Sequence, residues 1–382
     1  MAAPTAASDG QRLGTLAARR FPLTPRPKPA CRPLSQRIDR VIRLAGQASQ
    51  ATSDTPLRAA EACNLAALIA SDCAMPAFAR DLCWHQFEIY TAAGPYDAAT
   101  AKLALQPLIN LARLRIRDDD GDGGYQIVQS LYDGVRSSQD QAAVDGRAVN
   151  LASLAAPGDD HKAIVQWLWT VVLSDGLRSL CRAGDWTAAL HQAQQHHGIG
   201  QRLLDGRQIA VLAHAASGQH DEAERLLKTT TGTEPWENVV ADCLRAITRA
   251  TESPAGLTGA TGRLPDAYLA LDDPGRAMFN VRLGLTVGEL IETHDDQRAV
   301  IGKVERIAVQ TADAYIAREV LSSPATDLRR EVHAKLRRTI DQASLGHPLG
   351  TAQVRQLTDA VEWAGTSLAA SLASARALRR RE

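Results

Sequence analysis

The chain has 382 residues, more than a single hydrophobic core usually fills, so two or three domains are expected. Hydrophobic residues make up 45% of it but aromatic residues only 4%, a balance that favours closely packed helices over a β-sandwich. Basic and acidic residues are equal at 43 each, which argues against a general nucleic-acid-binding surface.

Residues 1–33 are rich in proline, small residues and basic residues, and such a composition buries too little apolar surface to fold. We therefore predict a disordered basic arm. Residues 1–50 carry nine Arg or Lys against two Asp, so the remainder of the chain is net acidic. The arm is either a solvated tail or a proline-rich partner-binding segment, and it is the only part expected to touch nucleic acid.

Helical periodicity begins at Leu34, where apolar residues recur at the spacing of one buried helix face. Residues Ser53–Pro56 have the composition of a helix start, with proline in the first turn. The pattern predicts four successive helices, starting at Leu34, after Pro56, at Pro76 through Tyr90, and from Asp97 to Arg117.

An acidic run follows, with Asp118, Asp120 and Asp122 at alternate positions and Gly123 next. This resembles the start of a helix-loop-helix calcium-binding loop, in which carboxylates at positions one, three and five bind the ion. The twelfth position is Gln129 where calcium needs a bidentate carboxylate. A solvated acidic turn between two helices is the alternative interpretation.

Residues 125–137 are predicted to be helical, whereas the alternating segment Val144–Val149 surrounds an Asp-Gly pair. Alternation about Asp-Gly is typical of a tight β-hairpin. We expect a small β-hairpin within an insertion at residues 118–160, followed by a long helix from Pro157–Asp160 through Arg182.

Two stretches that lie 34 residues apart share a similar order of glycine, polar residues and alanine. Gly184-Asp185-Trp186-Thr187-Ala188-Ala189 recurs as Gly218-Gln219-His220-Asp221-Glu222-Ala223, and Gly94–Ala99 is a more distant third copy. Glycine permits a tight helix reversal, Asp185 or Asp221 can cap the next helix, and Ala189 and Ala223 allow close helix crossing. The period and layout resemble a degenerate tetratricopeptide repeat of the kind common in high-GC bacteria.

That resemblance implies an all-α fold in which residues 34–252 form a solenoid of helical hairpins with a concave groove. Trp169 lies off the buried stripe of its helix, so it is either packed against the next hairpin or exposed in the groove. Trp and Arg dominate binding energy at many interfaces. The candidate partner-binding residues are Trp167, Trp169, Trp186, Arg202 and Arg207.

Ser, Pro, Gly and Thr concentrate at residues 253–266, which we interpret as a linker. Beyond it, residues 267–382 are expected to form a bundle of three long helices. The predicted breaks lie near residues 294–295, 322–324 and 346–348.

The sequence contains no P-loop, no dinucleotide-binding glycine motif, no HExxH and no GxSxG, so we assign no catalytic, cofactor-binding or metal residue. Its six cysteines are scattered without a CxxC pair, which favours a reducing compartment. With no apolar run of membrane-spanning length, we expect a cytoplasmic protein without a membrane partner.

The sequence therefore predicts a cytoplasmic scaffold or regulatory adaptor that binds a protein or peptide in the helical groove. The alternative is an enzyme or small-molecule-binding protein with a pocket between the solenoid and the C-terminal helices. A regulator that binds DNA through the basic arm is a third hypothesis. These hypotheses differ in what the central Trp, His and Arg residues face.

Overall fold

The computed structural model describes residues 14–137, 141–151, 154–252 and 261–379 of the chain. These residues form helices and one small β-hairpin, which confirms the predicted all-α class with a hairpin insertion. The arrangement of the helices as a solenoid stays a prediction. No helix in the described ranges combines the length and the apolarity that crossing a membrane requires.

The elements before residue 200 are α1 (residues 14–20), α2 (Leu34–Ala48), α3 (Thr55–Asp72), α4 (Pro76–Thr91), α5 (Ala98–Arg117), α6 (Gly121–Arg136), β1 (Ala142–Val144), β2 (Arg147–Val149), α7 (Asp159–Val171), a π-helical turn (Val172–Gly176), α8 (Leu177–Arg182) and α9 (Trp186–Gln195). The later elements are α10 (Asp205–Ala216), α11 (His220–Lys228), α12 (Pro235–Glu252), α13 (Leu264–Leu269), a 3₁₀ turn (Pro274–Arg276), α14 (Ala277–Leu290), α15 (His294–Thr311), α16 (Ala314–Leu321), α17 (Arg330–Gln342) and α18 (Thr351–Arg379).

The chain divides into two compact units, each built from two segments. Unit 1 comprises Met1–Cys31 and Leu180–Ile340, and unit 2 comprises Arg32–Ser179 and Asp341–Glu382. This grouping differs from the predicted domains, because it places residues 14–31 with the middle of the chain. Residues 253–260 of the predicted linker lie outside the described residues.

Alternate helices of unit 2 run in the same direction, and within each pair of helices the contacting residues keep one sequence offset, which differs between the pairs. Between α3 and α5, Asn64 bonds Asn110 (2.8 Å) and Ser71 bonds Arg117 (2.5 Å), and both pairs are 46 residues apart. Between α5 and the α7 region, the backbone N–H of Ala98 donates to Asp160 (2.8 Å) and Arg113 donates to Asp175 (2.7 Å), and both pairs are 62 residues apart. Constant offsets between parallel helices are expected of successive stacked hairpins.

The predicted Asp-Gly hairpin is present and is anchored through its turn. Asp145 and Gly146 both have positive φ, as a tight two-residue hairpin requires. The Asp145 carboxylate is 2% exposed and accepts from Arg80 of α4 (2.8 Å) and Arg115 of α5 (2.7 Å). Because these guanidinium groups satisfy the buried carboxylate, the turn is fixed against the helices of unit 2.

Some local features of the predicted repeat are present in the structure. Gly184 and Gly218 have φ of 79° and 72°, and Asp185 accepts from the backbone N–H of Ala188 at 2.8 Å. Asp221, in contrast, lies in the first turn of α11 and Gln219 holds the capping position, so its predicted capping role was wrong. Ala99 of the third copy is exposed rather than buried at a crossing.

The C-terminal part of the chain contains more breaks than its sequence pattern predicted. The sequence analysis expected three long helices and three breaks, whereas from residue 277 onward the structure has five helices separated by four breaks. The unpredicted break lies at Ala312, which adopts the left-handed conformation (φ 47°), and at Asp313, which caps α16 through the backbone N–H of Tyr315 (2.9 Å). Neither glycine nor proline marks this break in the sequence.

The prediction of a disordered arm was wrong for residues 14–33. Residues 14–20 are helical, and Leu16, Phe21 and Leu23 are buried in unit 1. The side chains that hold this segment come from residues more than 170 positions away, so its local composition does not indicate that it is held. Residues 1–13 lie outside the described residues.

All six cysteines are buried free thiols. Burial raises the pKa of Cys63 and of Cys83 to about 12 and that of Cys73 to about 11. Because the thiolate is the reactive form, we expect the native protein near neutral pH to react with Ellman's reagent roughly 100-fold more slowly than the denatured protein. Rapid native reaction of these three thiols would contradict their burial.

Candidate functional site

Residues 19–31 cross the surface of unit 1 as a largely extended segment, which we call the strap. Hydrogen bonds and ion pairs hold it against side chains of α10, α14 and α16. We call the surface that these helices present to the strap the groove. Its polar members are Asp205, Gln208, Arg282, Glu289, Asp313, Tyr315 and Glu319.

Gln208 of α10 binds the strap through its backbone. The Leu23 N–H donates to the Gln208 side-chain oxygen (2.7 Å), and the side-chain amide nitrogen donates to the Leu23 carbonyl (2.8 Å). The same nitrogen also donates to the Leu203 carbonyl (2.8 Å), which fixes the orientation of the amide. One carboxamide thus pairs with both backbone groups of a residue, as a neighbouring β-strand would.

A second backbone contact lies at the other end of the strap. The Cys31 N–H donates to the Asp313 carboxylate (3.1 Å), and the Ala314 N–H donates to the Cys31 carbonyl (3.0 Å). The Lys28 ammonium lies 3.6 Å from the centre of the Tyr315 ring, a cation–π geometry. The start of α16 therefore holds both the backbone and a basic side chain.

Two arginines at the start of the strap enter an acidic part of the groove. Arg20 is 1% exposed and donates to Glu289 of α14 (3.0 Å) and to Glu319 of α16 (2.7 Å). Arg19 also pairs with Glu289, and Arg282 donates to the carbonyls of Arg19 and Arg20 (both 3.1 Å). A buried guanidinium needs such partners, because an unpaired buried charge is strongly destabilising.

Asp205, the first residue of α10, receives the middle of the strap. Its carboxylate accepts from the Thr24 hydroxyl (2.8 Å) and pairs with Arg26. A carboxylate at a helix N-terminus is also favoured by the helix dipole. Acidic side chains therefore pair with all three arginines of the strap.

The charges around Glu319 predict an acid sensitivity of unit 1. Burial alone would raise the pKa of Glu319, but the nearby charges of Arg282, Arg20, Lys28 and Arg318 outweigh it and lower that pKa. A lowered folded-state pKa contributes stability at neutral pH that is lost as the pH falls below the unfolded value. We expect Glu319→Gln to lower the urea midpoint at pH 7, with the gap to the wild type narrowing near pH 4. An equal gap at both pH values would contradict this prediction.

The tryptophans predicted to bind a partner fall in different units. Trp167 and Trp169 are partly buried against the hydrophobic core of unit 2, which favours the packed interpretation of Trp169. Trp186 is the first residue of α9 in unit 1 and is half-buried.

The two predicted arginines hold unit 1 together. Arg207 is buried and donates to the carbonyls of Gly200 (2.6 Å) and Leu226 (2.7 Å) and to the hydroxyls of Thr229 (2.7 Å) and Thr230 (2.8 Å). Arg202 bonds the buried Glu237 (3.0 Å through Nε) and Glu234 (3.3 Å), at the start of α12. We therefore assign structural roles to both, although their use by a partner stays a prediction.

The acidic run Asp118–Asp122 forms a helix connection. The Asp120 carboxylate accepts from the Gly123 N–H (2.9 Å) and from Arg115 (3.1 Å), which makes it the N-cap of α6. Because α6 begins at Gly121, most of the expected loop is helical and cannot wrap an ion. Within the described ranges, no group of three or more His, Cys, Asp or Glu side chains is arranged to hold a metal ion.

Sequence reasoning missed every polar residue of the groove. Gln208 and Asp205 sit in the segment Asp205–Ala213, which is buried throughout, so no periodic polar face marks them. Glu289 and Glu319 are ordinary helix residues in sequence. The one available signal was charge, since a basic arm accompanies a net acidic remainder of the chain. The enzyme and DNA-binding alternatives stay predictions.

Comparison with known proteins gives no relative: no family model, no curated protein and no solved structure matches the chain.

Proposed function

We propose that the chain is a protein-interaction scaffold whose groove in unit 1 binds an extended, basic segment of a partner protein. The observation that carries the proposal is the pairing of the Gln208 carboxamide with both backbone groups of Leu23 (2.7 and 2.8 Å). A contact of this kind recognises any extended backbone, whatever its side chain, so the groove can accept a segment from another chain.

Charge supports the basic character of that segment. Asp205, Glu289 and Glu319 line the groove and pair with Arg26, Arg19 and Arg20 of the strap. Complementary charge of this kind accelerates association and excludes acidic competitors more than it adds affinity. The partner class is therefore an extended protein segment with arginines.

A tetratricopeptide-like stacking of hairpins and a regulatory, cytoplasmic role are part of the same proposal. The positive-φ glycines Gly184 and Gly218 and the buried Ala189 and Ala223 support the architecture. Six free thiols are compatible with a reducing compartment.

The test uses a fluorescent peptide of residues 18–31 with Cys31→Ser, titrated with the full-length chain by anisotropy. The full-length variant Arg20→Ala/Leu23→Ala weakens the chain's own strap and leaves the groove intact, and we expect it to bind the peptide saturably. Adding Gln208→Ala should weaken that binding at least tenfold, because roughly 1.4 kcal/mol is tenfold in affinity and the lost pair exceeds it.

The matched control is Gln194→Ala, a change of the same residue type at an exposed position of α9. It should leave peptide binding unchanged, and circular dichroism should show that all variants are folded. Absence of binding to the folded strap-weakened variant at millimolar peptide would refute the proposed function.

A further inference from the structure

We propose that the strap is an internal ligand that keeps the groove closed. The partner that opens the groove carries the same sequence motif as the strap. That motif is Arg-Arg, an aromatic-Pro-Leu triplet, and an arginine two residues after a threonine. The inference rests on the proposed function and adds how that site is regulated and what it selects.

The strap makes contacts that a separate peptide could make equally well. They are hydrogen bonds from side chains to its backbone, ion pairs with its arginines, and burial of Phe21 and Leu23. Residues Arg26–Pro29 of the strap are exposed, whereas Arg20–Leu23 and Cys31 are buried against unit 1. The helices α10, α14 and α16 also pack on other helices of unit 1, so release of the strap would leave them supported.

Each anchored position defines part of the motif. Arg20 is selected by Glu289 and Glu319 together, Leu23 by a site that leaves it 1% exposed, and Arg26 by Asp205. An acidic or bulky residue at the Leu23 position would place an unpaired charge or excess volume in that site.

Proline explains how the strap can be both ordered and displaceable. Pro22, Pro25, Pro27 and Pro29 alternate with the anchored residues. Proline fixes φ near the extended value, so less conformational entropy is lost when the segment binds. A partner segment with prolines at these places has the same advantage over a flexible chain.

Because the strap is part of the same chain as the groove, it competes strongly with a separate segment for binding there. A segment joined to its own site acts at an effective concentration on the order of millimolar. If the groove is open about 1% of the time, the apparent Kd of a partner is about 100-fold weaker than its Kd for the open groove. The wild-type chain should therefore bind the peptide at least tenfold more weakly than the strap-weakened variant does.

Cys31 reports on strap release in the unmodified protein. It lies at the end of the strap, is buried, and both of its backbone groups are bonded at the start of α16. The experiment measures alkylation of each cysteine by N-ethylmaleimide, located by mass spectrometry, in the wild-type full-length chain. The probe is the peptide of residues 18–31 with Cys31→Ser, and the control is the same peptide with Leu23→Asp.

We expect the probe to raise the alkylation rate of Cys31 at least tenfold and saturably, while the other five cysteines keep their rates. The Leu23→Asp peptide should have no effect. If the peptide binds the strap-weakened variant and Cys31 of the wild type stays protected at saturating peptide, the strap does not close the groove, although the proposed function stands. Equal acceleration by both peptides would also overturn the inference, and no binding to any variant would overturn the function itself.

Discussion

Replacing Gln208 by Ala is expected to release the strap from unit 1. The substitution leaves the N–H and carbonyl of Leu23 and the carbonyl of Leu203 without their partner. A buried backbone group without a partner costs about 1–3 kcal/mol, so strap opening should become easier by roughly 2–4 kcal/mol. Hydrogen exchange of residues 21–31 should accelerate at least tenfold, since each 1.4 kcal/mol is about a factor of ten.

Gln194→Ala is the matched control for this effect, because Gln194 is exposed and makes no described bond to the strap. Exchange in unit 2 should stay unchanged in both variants. If residues 21–31 of the Gln208→Ala protein exchange as slowly as in the wild type, the backbone pairing does not hold the strap and other contacts must do so.

Replacing Arg207 by Met is expected to destabilise unit 1 by roughly 3–5 kcal/mol. Its guanidinium satisfies two carbonyls and two hydroxyls in a buried position that joins the α9–α10 connection to the end of α11. Desolvation lowers the pKa of Arg207, and the desolvation cost that methionine removes offsets part of this loss. Methionine fills a similar volume but can satisfy none of the four acceptors.

Urea unfolding followed by circular dichroism and by hydrogen exchange of α10 and α11 would measure this loss. Arg249→Met is the control, since Arg249 is an exposed basic residue of α12 and exposed substitutions usually change stability by about 0.5 kcal/mol or less. If Arg207→Met unfolds like the wild type and loses peptide binding, Arg207 is a partner-binding residue, as its sequence context first suggested.

Features with a local cause could be predicted from the sequence. The Asp145-Gly146 turn, the glycine reversals at Gly184 and Gly218, and the Asp185 cap each depend on residues within five positions of each other. The backbone conformation at these places is set by steric limits on φ and by the nearest free N–H groups.

At the start of α6 the structure is helical where the sequence favours a turn, and packing accounts for the difference. Three glycines in Gly121–Gly124 disfavour a helix by about 1 kcal/mol each, so the run resembles a turn. In the structure, a Cβ at Gly124 would lie 2.8 Å from the Ser179 hydroxyl and 3.1 Å from the Ala112 carbonyl. The close approach of α5 requires glycine there, and such proximity cannot be read from local sequence.

The groove could not be predicted because its members are distant in sequence. Leu23 and Gln208 are 185 residues apart, and Arg20 and Glu319 are 299 apart. The arm's proline and basic residues predict that it does not fold alone, and they do not show that an acidic surface receives it. The net negative charge of the residues after the arm indicates only that the surface that receives it is negatively charged.

Hydrogen exchange of the full-length Arg20→Ala/Leu23→Ala variant, with and without the peptide of residues 18–31, tests the central claim most directly. We predict that the peptide slows exchange at residues 205–208, 282–289 and 313–319, which carry the groove's polar side chains, and leaves the exchange of unit 2 unchanged. Exchange that is the same with and without saturating peptide, or slowed only in unit 2, would contradict the assignment of the groove as a binding site for an extended basic segment.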